Sequence, residues 1–372
     1  MKVCFIYAKP VGFSGQFLAT KLLLKLLPAR FEKVSIPLPA WSGRVWELPN
    51  FGVRLFGAWL RIVLEMRSIE VLYINAGQST AAIVRDGIAL ILALTVKPRS
   101  RRLIALHGNF FTFWSPNSLK ARLFVRMCNL GNVVTVLGPV QKHRLVALGV
   151  KSVVQIVDNT SELEVIPIET LDQKHQGANL NLLFLSNLLE SKGYPEYLEA
   201  LAIIAKRGDL RVDALLAGGF IRDTFPVRFH SEEDAEKWVV EKIAEINLSP
   251  TVHVKWVRGI GGAEKLDALR QAQILVFPSS YKVEAQPIVL LEALASGISI
   301  IASRAGEIPT TLDQGTAVFL NSCSAAEVVQ AVYALKTPET RINFARNGLR
   351  LYQTRYALHN YLKAWEQLII GH

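Results

Sequence analysis

The chain has 372 residues, of which 51% are hydrophobic and 20% charged, so it is too apolar to stay disordered and long enough for two domains, each with its own core. Its 42 Lys+Arg against 31 Asp+Glu are unevenly spread: residues 1–165 carry 21 against 8, a net of +13, and the remainder 21 against 23, a net of −2. A basic half beside a near-neutral one expects an anionic partner for the first half, whether nucleic acid, anionic lipid or a phosphorylated substrate.

The first element is the apolar run Val3–Tyr7, read as a strand. The N-terminal MKVCFIYAKP is too short an apolar run for a signal peptide and lacks a small-residue cleavage pattern. A glycine loop with Gly12 and Gly15 follows and leads into a helix; such a loop lets backbone amides approach a ligand, although a lone Gly-x-x-Gly is weak evidence. Further strands are expected at Val34–Ile36, Val71–Ile74, Leu103–Leu106, Val133–Val136 and Val153–Ile156. Gly87 to Val96 is strongly apolar but far short of the ~18–20 residues that span a bilayer, and reads as a buried helix. His107 ends the fourth strand candidate, where open α/β sheets bind ligands.

Aromatic residues of this half fall in two stretches, Trp41, Trp46 and Trp59, then Phe110, Phe111, Phe113 and Trp114. Arg44, Arg54, Arg61 and Arg67 accompany the first, and Lys120, Arg122 and Arg126 the second. Arg54 and Arg61 share one helix face by their spacing, as do Arg122 and Arg126. Two readings stand side by side: a membrane interface of mixed aromatic and cationic character, or core aromatics with solvated arginines.

A polar segment from Ile166 to Asn179 separates this pattern from a second series of strands. Those are Asn181–Leu185, Val212–Ala217, Val252–Lys255, Ile274–Phe277, Ser299–Ile301 and Ala317–Leu320, and Pro338 to Ile370 reads as helix. Near-continuous apolar strands alternating with helices indicate parallel sheets covered on both faces. The expected domains are therefore 1–165, 166–340 and a C-terminal helical segment 341–372 that packs back toward the first. Cys4, Cys128 and Cys323 are too far apart for a metal or redox motif and read as small buried residues.

The segment from Phe277 to Gly297 carries the chemistry. A strand ends at Phe277, a loop holds Glu284, Gln286 and Pro287, and a helix begins with Pro287 in its first turn. The amides of Ile288 and Val289 then lack intrahelical partners, which makes an anion site at a strand's carboxyl end. Glu284 lies just before that helix and Glu292 inside it, and a carboxylate accepts hydrogen bonds from neighbouring sugar hydroxyls.

With the string Ile300-Ile-Ala-Ser-Arg-Ala-Gly-Glu-Ile-Pro309 behind it, this segment resembles the family 4 retaining glycosyltransferases of the GT-B fold, an α/β architecture of two facing Rossmann-like doubly wound domains with a cleft between them. Glu284 and Glu292 match the family's Glu-x7-Glu motif. The resemblance implies that Glu284 contacts the donor sugar's hydroxyls and Glu292 the nucleotide ribose. Leu183-Phe-Leu-Ser-Asn-Leu-Leu-Glu-Ser-Lys192-Gly193 is similar to the family's diphosphate loop: Lys192 matches its lysine, but Asn187 stands where an arginine is expected. Gly218 resembles a glycine of close ligand approach, and Arg258 falls on a strand end beside the donor base. Thr310 replaces the acid that ends the family's Gly-Gly-Ile-Pro-Glu string. The resemblance also places His107 near the donor sugar or acceptor, Gly12 and Gly15 at the cleft, and Asp158-Asn159 at the end of the first domain as a hinge.

The implied activity is retaining transfer of a hexosyl-type sugar from a nucleotide-diphosphate donor, UDP-sugar first and GDP-sugar next, to a glycan or lipid-linked acceptor in polysaccharide, lipopolysaccharide or glycolipid assembly. Front-face attack is expected. No Asp-x-Asp sequence occurs, so no metal or cofactor is required by the sequence. The expected setting is cytoplasmic, peripheral on an anionic membrane, without nucleic acid. A nucleotide-sugar epimerase of the same fold, or a non-catalytic basic binding protein, is the alternative; a dehydrogenase is poorer, since the first glycine loop lacks Gly-x-Gly-x-x-Gly.

Overall fold

The computed structural model describes residues 1–9, 15–40, 48–221 and 228–371. Gly12, Trp41, Arg44 and Trp46 lie outside the described residues. Contacts divide the chain into two compact units, Met1–Asn159 with Leu358–His372, and Thr160–Ala357.

The first unit runs β1 (Lys2–Lys9), α1 (Gly15–Leu26), β2 (Glu32–Pro39), α2 (Leu48–Glu65), β3 (Val71–Asn75), α3 (Thr80–Val96), β4 (Arg101–Ala105), α4 (Leu119–Cys128), β5 (Val133–Val136), α5 (Pro139–Leu148) and β6 (Val153–Ile156). Its strands form a parallel sheet in the order β2-β1-β3-β4-β5-β6. β3 is buried along its whole length, as a strand covered by helices on both faces must be. β2 carries Pro37 and Pro39, which an edge strand tolerates because no further strand needs their missing N–H. Gly87 to Val96 lies in α3, whose start is capped by Ser79 accepting from the Ala82 amide.

The second unit runs α6 (Leu171–His175), β7 (Leu180–Leu185), α7 (Tyr194–Arg207), β8 (Val212–Ala217), α8 (Glu232–Ile246), β9 (Val252–Val257), α9 (Gly262–Gln271), β10 (Ile274–Phe277), α10 (Ile288–Ala295), β11 (Ser299–Ala302), α11 (Ile308–Thr311), β12 (Ala317–Phe319), α12 (Ala325–Ala334) and α13 (Pro338–Leu351). The parallel order is β12-β11-β10-β7-β8-β9, the doubly wound Rossmann arrangement in which the first and fourth strands of the unit are neighbours. Residues 160–165, grouped with the first half on sequence, pack here: Leu163 and Val165 join the core around α10, and the Ile166 amide bonds the Ala295 carbonyl.

The C-terminal stretch is two helices rather than one. After α13 the chain makes a π turn at Tyr352–Tyr356, Ala357 is extended (ψ 144°), and α14 (Leu358–Ile370) follows. α13 packs Ile342, Ala345 and Leu349 against Leu171 of the second unit, whereas α14 packs Tyr361, Trp365, Leu368 and Ile369 into the core of the first.

His175 fastens this packing. It is fully buried at the end of α6, its Nε2 lies 3.0 Å from the Gly297 carbonyl, and its own carbonyl accepts from the buried Arg341 guanidinium at 2.8 Å. Burial pulls the imidazole down to about 4, against the Gly297 hydrogen bond that favours the charged form. The unfolded chain, titrating near 6.5, therefore takes up the proton first. The neutral ring's contribution is complete above pH 6.5 and is lost as pH falls toward 4, by roughly 3 kcal/mol at most. Urea denaturation at a series of pH values should show that decline, and His175→Gln should flatten it.

Candidate functional site

In the second unit β7 and β10 lie side by side, but the connections that leave them run to opposite sides of the sheet, so their carboxyl ends open a crevice. The loop after β7 ends in a single 3-10 turn, Glu190–Lys192, and Gly193 at φ +86° turns the chain into α7. The loop after β10, residues 278–287, leads into α10. The two loops are bonded to each other: the Ser280 amide donates to the Ser191 carbonyl at 2.7 Å. A Cβ on Gly193 would stand 2.4 Å from the Pro278 carbonyl oxygen, so this approach requires glycine for space as well as conformation.

At this meeting point Lys192 Nζ lies 2.5 Å from Glu284 Oε2. Both side chains are largely buried, and the Ser279 hydroxyl donates to the same carboxylate oxygen at 2.9 Å. The ammonium also lies over the rings of Tyr281 (4.7 Å) and Phe277 (5.4 Å). The loop after β11 closes in behind: Gly306 at φ +52° lies so near the Glu284 backbone that a Cβ would stand 1.8 Å from its carbonyl oxygen. The Thr310 hydroxyl bonds the buried Glu307 carboxylate at 2.7 Å, which gives Thr310 a structural task at the position where an acid was expected.

α10 starts at Ile288, with Pro287 as its N-cap rather than in its first turn, so the helix begins one residue later than the sequence suggests. Proline offers no capping oxygen, so the half-buried Ile288 and Val289 stand at an end without a side-chain cap. Gln286 is buried beside them. One turn into α10, Glu292 is buried and paired with Lys265 of α9, Nζ to Oε1 2.6 Å. Burial pushes its carboxyl up, and Lys265 pulls it back toward the ionised form.

The remaining expected residues are dispersed. Asn187 is exposed in the loop after β7. Gly218 follows β8 and lies against the Ser186 carbonyl, where a Cβ would stand 1.9 Å away, so backbone approach explains the glycine. Arg258 pairs with Glu236 of α8 and lies over Trp256 at 5.0 Å.

In the first unit Gly15 is the first residue of α1. His107 follows β4 and forms the end of a polar chain: Asn75 Nδ2 donates to Thr20 Oγ1 (2.7 Å), which lies 3.3 Å from the Tyr73 hydroxyl, itself 3.5 Å from His107 Nε2. The residue keeps partial exposure, yet its ring is desolvated enough to titrate at about 4, against a hydrogen bond with Asn159 that favours protonation. It is neutral at pH 7, with one donor and one acceptor nitrogen, which suits a hydroxyl better than a phosphate. Asn159, read as a hinge residue, is thus also a partner of His107.

Sequence reasoning missed Lys265, Ser279, Tyr73, Thr20 and Asn75. Lys265, Tyr73, Thr20 and Asn75 are recruited by contacts distant in sequence, and Ser279 by a side-chain bond five residues along its own loop.

A family model for glycosyl transferases group 1 matches residues 165–350, half of the chain. The chain belongs to the group 1 glycosyl transferases. No curated protein matches it. Among solved structures, this glycosyltransferase is similar to Alr3699/HepE of Anabaena in complex with UDP, at 15% identity and TM-score 0.71 over 100% of both chains. It is similar to sucrose-phosphate synthase of Thermosynechococcus elongatus, at 16% identity and TM-score 0.67 over 99% of this chain and 98% of that one. It is also similar to the apo form of the lipopolysaccharide outer core galactosyltransferase WaaB, at 14% identity and TM-score 0.63 over 100% and 99%. At these identities the likeness is one of fold, and the fold is GT-B with two Rossmann-like domains.

Two substitutions test the construction of this glycosyltransferase site. Gly306→Ala should cost roughly 1–3 kcal/mol, because both its positive φ and the Glu284 backbone oppose a side chain, and a drop in thermal midpoint would register it. Lys265→Met should strand a buried carboxylate. Glu292 would then protonate at a higher pH than in the wild type, which a pH titration of the isotopically labelled carboxyl by NMR would read.

Proposed function

We propose that this group 1 glycosyltransferase is a family 4 retaining enzyme with the Glu-x7-Glu motif at Glu284 and Glu292, and that it takes a sugar from a nucleotide-diphosphate donor held at the β7–β10 crevice. The observation that carries the reading is the 2.5 Å pair of Lys192 and Glu284, which joins the two loops beside the start of α10. UDP-sugar is the first donor class and GDP-sugar the second; the neighbour HepE, solved with UDP and with UDP-glucose, favours that order.

An ammonium has three N–H donors, so Lys192 retains Glu284 and still reaches phosphate oxygens. As the glycosidic bond breaks, charge builds on the leaving diphosphate, and Lys192 with the Ile288 and Val289 amides stabilises it. Loss of one such preorganised group typically raises a barrier by roughly 3–4 kcal/mol. Glu284 accepts hydrogen bonds from the donor sugar, and Glu292 from the ribose. With Asn187 in place of an arginine, diphosphate binding leans on Lys192 and the α10 terminus. The acceptor hydroxyl attacks on the face the diphosphate leaves, the leaving phosphate takes its proton, and configuration is retained. No metal takes part in this scheme. Gln286 lines the sugar side. Gly218, Arg258, Gly12 and Gly15 are assigned to donor contacts by the resemblance.

The acceptor is proposed to be a glycan or lipid-linked sugar of cell-surface polysaccharide, lipopolysaccharide or glycolipid assembly, with His107 as a neutral hydrogen-bond partner for a hydroxyl. The enzyme is placed on the cytoplasmic side.

Calorimetric titration of UDP and GDP into wild type and Lys192→Ala tests the donor site. One nucleotide should bind, and the variant should weaken it by about tenfold or more. Glu284→Ala should abolish sugar transfer and spare nucleotide binding. Near-normal transfer in that variant refutes the assignment, and turnover of the donor without any acceptor would instead indicate epimerase chemistry.

A further inference from the structure

α2 is apolar on two faces and buried on one. Toward the core it presents Ile62, fully buried, with Ala58 and Trp59 packed beside it. On the opposite side Val53, Phe56, Leu60 and Leu64 form a stripe at helical spacing, with exposures of 73%, 67%, 49% and 67%. A surface helix of a soluble domain ordinarily carries polar residues there. Single exposed apolar side chains are commonplace, but four large ones aligned along a helix about 27 Å long mark an interaction surface.

The surrounding charge selects the occupant. Arg54 and Arg61 lie seven residues apart along one edge of the stripe, both exposed, and Arg67 is exposed just beyond the helix end. Lys97 brings its ammonium to the Arg67 carbonyl at 3.4 Å. The one acid of the helix, Glu65, lies beside Arg61, at 4.0 Å. Pairing with a second copy would set these arginines against their own copies, in a segment whose residues 1–165 already carry a net of +13. An acidic bilayer surface satisfies both features: the apolar stripe enters the boundary between headgroups and acyl chains, and the arginines extend to lipid phosphates. Among the described residues no helix is long and apolar enough to cross a membrane.

We infer that α2 is a membrane-docking helix that lies flat on an anionic lipid surface through Val53, Phe56, Leu60 and Leu64, with Arg54, Arg61 and Arg67 supplying the charge contacts. The inference stands on exposure and charge alone and does not depend on the donor assignment.

Co-sedimentation with vesicles tests it, using phosphatidylcholine alone and phosphatidylcholine mixed with an equal part of phosphatidylglycerol. Wild type should be recovered with the mixed vesicles and much less with the neutral ones. Phe56→Ser with Leu60→Ser should lower partitioning by about tenfold or more. Arg54→Gln with Arg61→Gln should weaken binding and reduce its salt dependence. The substituted positions are exposed, so unchanged thermal midpoints should confirm folding. Absence of binding to mixed vesicles, equal recovery with both kinds, or full binding by the Phe56/Leu60 variant would overturn the inference. So would a dimer in analytical ultracentrifugation that the same variant abolishes, since it would give the stripe to a second copy.

Discussion

The ion pair between Lys192 and Glu284 is the contact on which the second unit's site depends, and topology brings it about. Two strands adjacent in the sheet but distant in sequence send their chains in opposite directions, and the loops that leave them meet near their far ends, just before α7 and α10. An ion pair taken out of water is costly unless its remaining hydrogen-bonding capacity is met. Here Ser279 serves the carboxylate and two aromatic rings face the ammonium. The backbone around the pair leaves no slack, since Gly193 and Gly306 each stand where a side chain would collide with a neighbouring carbonyl. The pair therefore joins the two loops through one buried contact between a cation and an anion.

The two units use opposite electrostatics at corresponding places. Beyond the strand ends of the second unit lie charged pairs, Lys192 with Glu284 in the loops and Lys265 of α9 with Glu292 of α10. Near the strand ends of the first lies a neutral chain, Asn75 and Tyr73 of β3, Thr20 of α1 and a histidine held uncharged by burial. The large positive charge of residues 1–165 is thus not gathered at these strand ends. Much of it sits on exposed positions of α2, α4 and the segments around them, such as Arg54, Arg61, Arg122 and Arg126. A neutral histidine suits a hydroxyl, and a basic exterior suits an extended anionic surface.

Much of this was legible in the sequence because the signals are local. Each of the twelve strands among the described residues shows as a short apolar run, and the observed boundaries differ from the runs by three residues at most. Glu284, Glu292 and Lys192 stand in a recognisable order along the chain. The partners of those residues were not legible: Lys265 is an ordinary helix lysine until α9 packs across from α10, and Ser279 is one of two adjacent loop serines. The aromatic stretches were undecided for a similar reason. Phe111 and Trp114 pack on Phe124 in the core, while Phe110 and Phe113 are exposed, and only the 3-10 turn at Phe110–Phe113 sorts them.

The break after α13 was hidden as well, because Tyr352–Tyr356 is compatible with helix and contains neither proline nor glycine. What decides it is where the hydrogen bonds go. The Tyr356 carbonyl accepts from the Thr160 hydroxyl at 2.6 Å, and the Tyr352 hydroxyl bonds the Ser161 carbonyl at 3.0 Å. A π turn widens the helix and frees the Tyr356 carbonyl for the Thr160 hydroxyl, while the Tyr352 side chain donates to the Ser161 carbonyl. Thr160 opens the second unit and Ala357 closes it. The two points at which the chain passes from one unit to the other are therefore bonded together inside the second unit. Two buried tyrosines and one threonine hydroxyl tie the chain's departure to its return, and residue 357 turns extended at the first position beyond that tie.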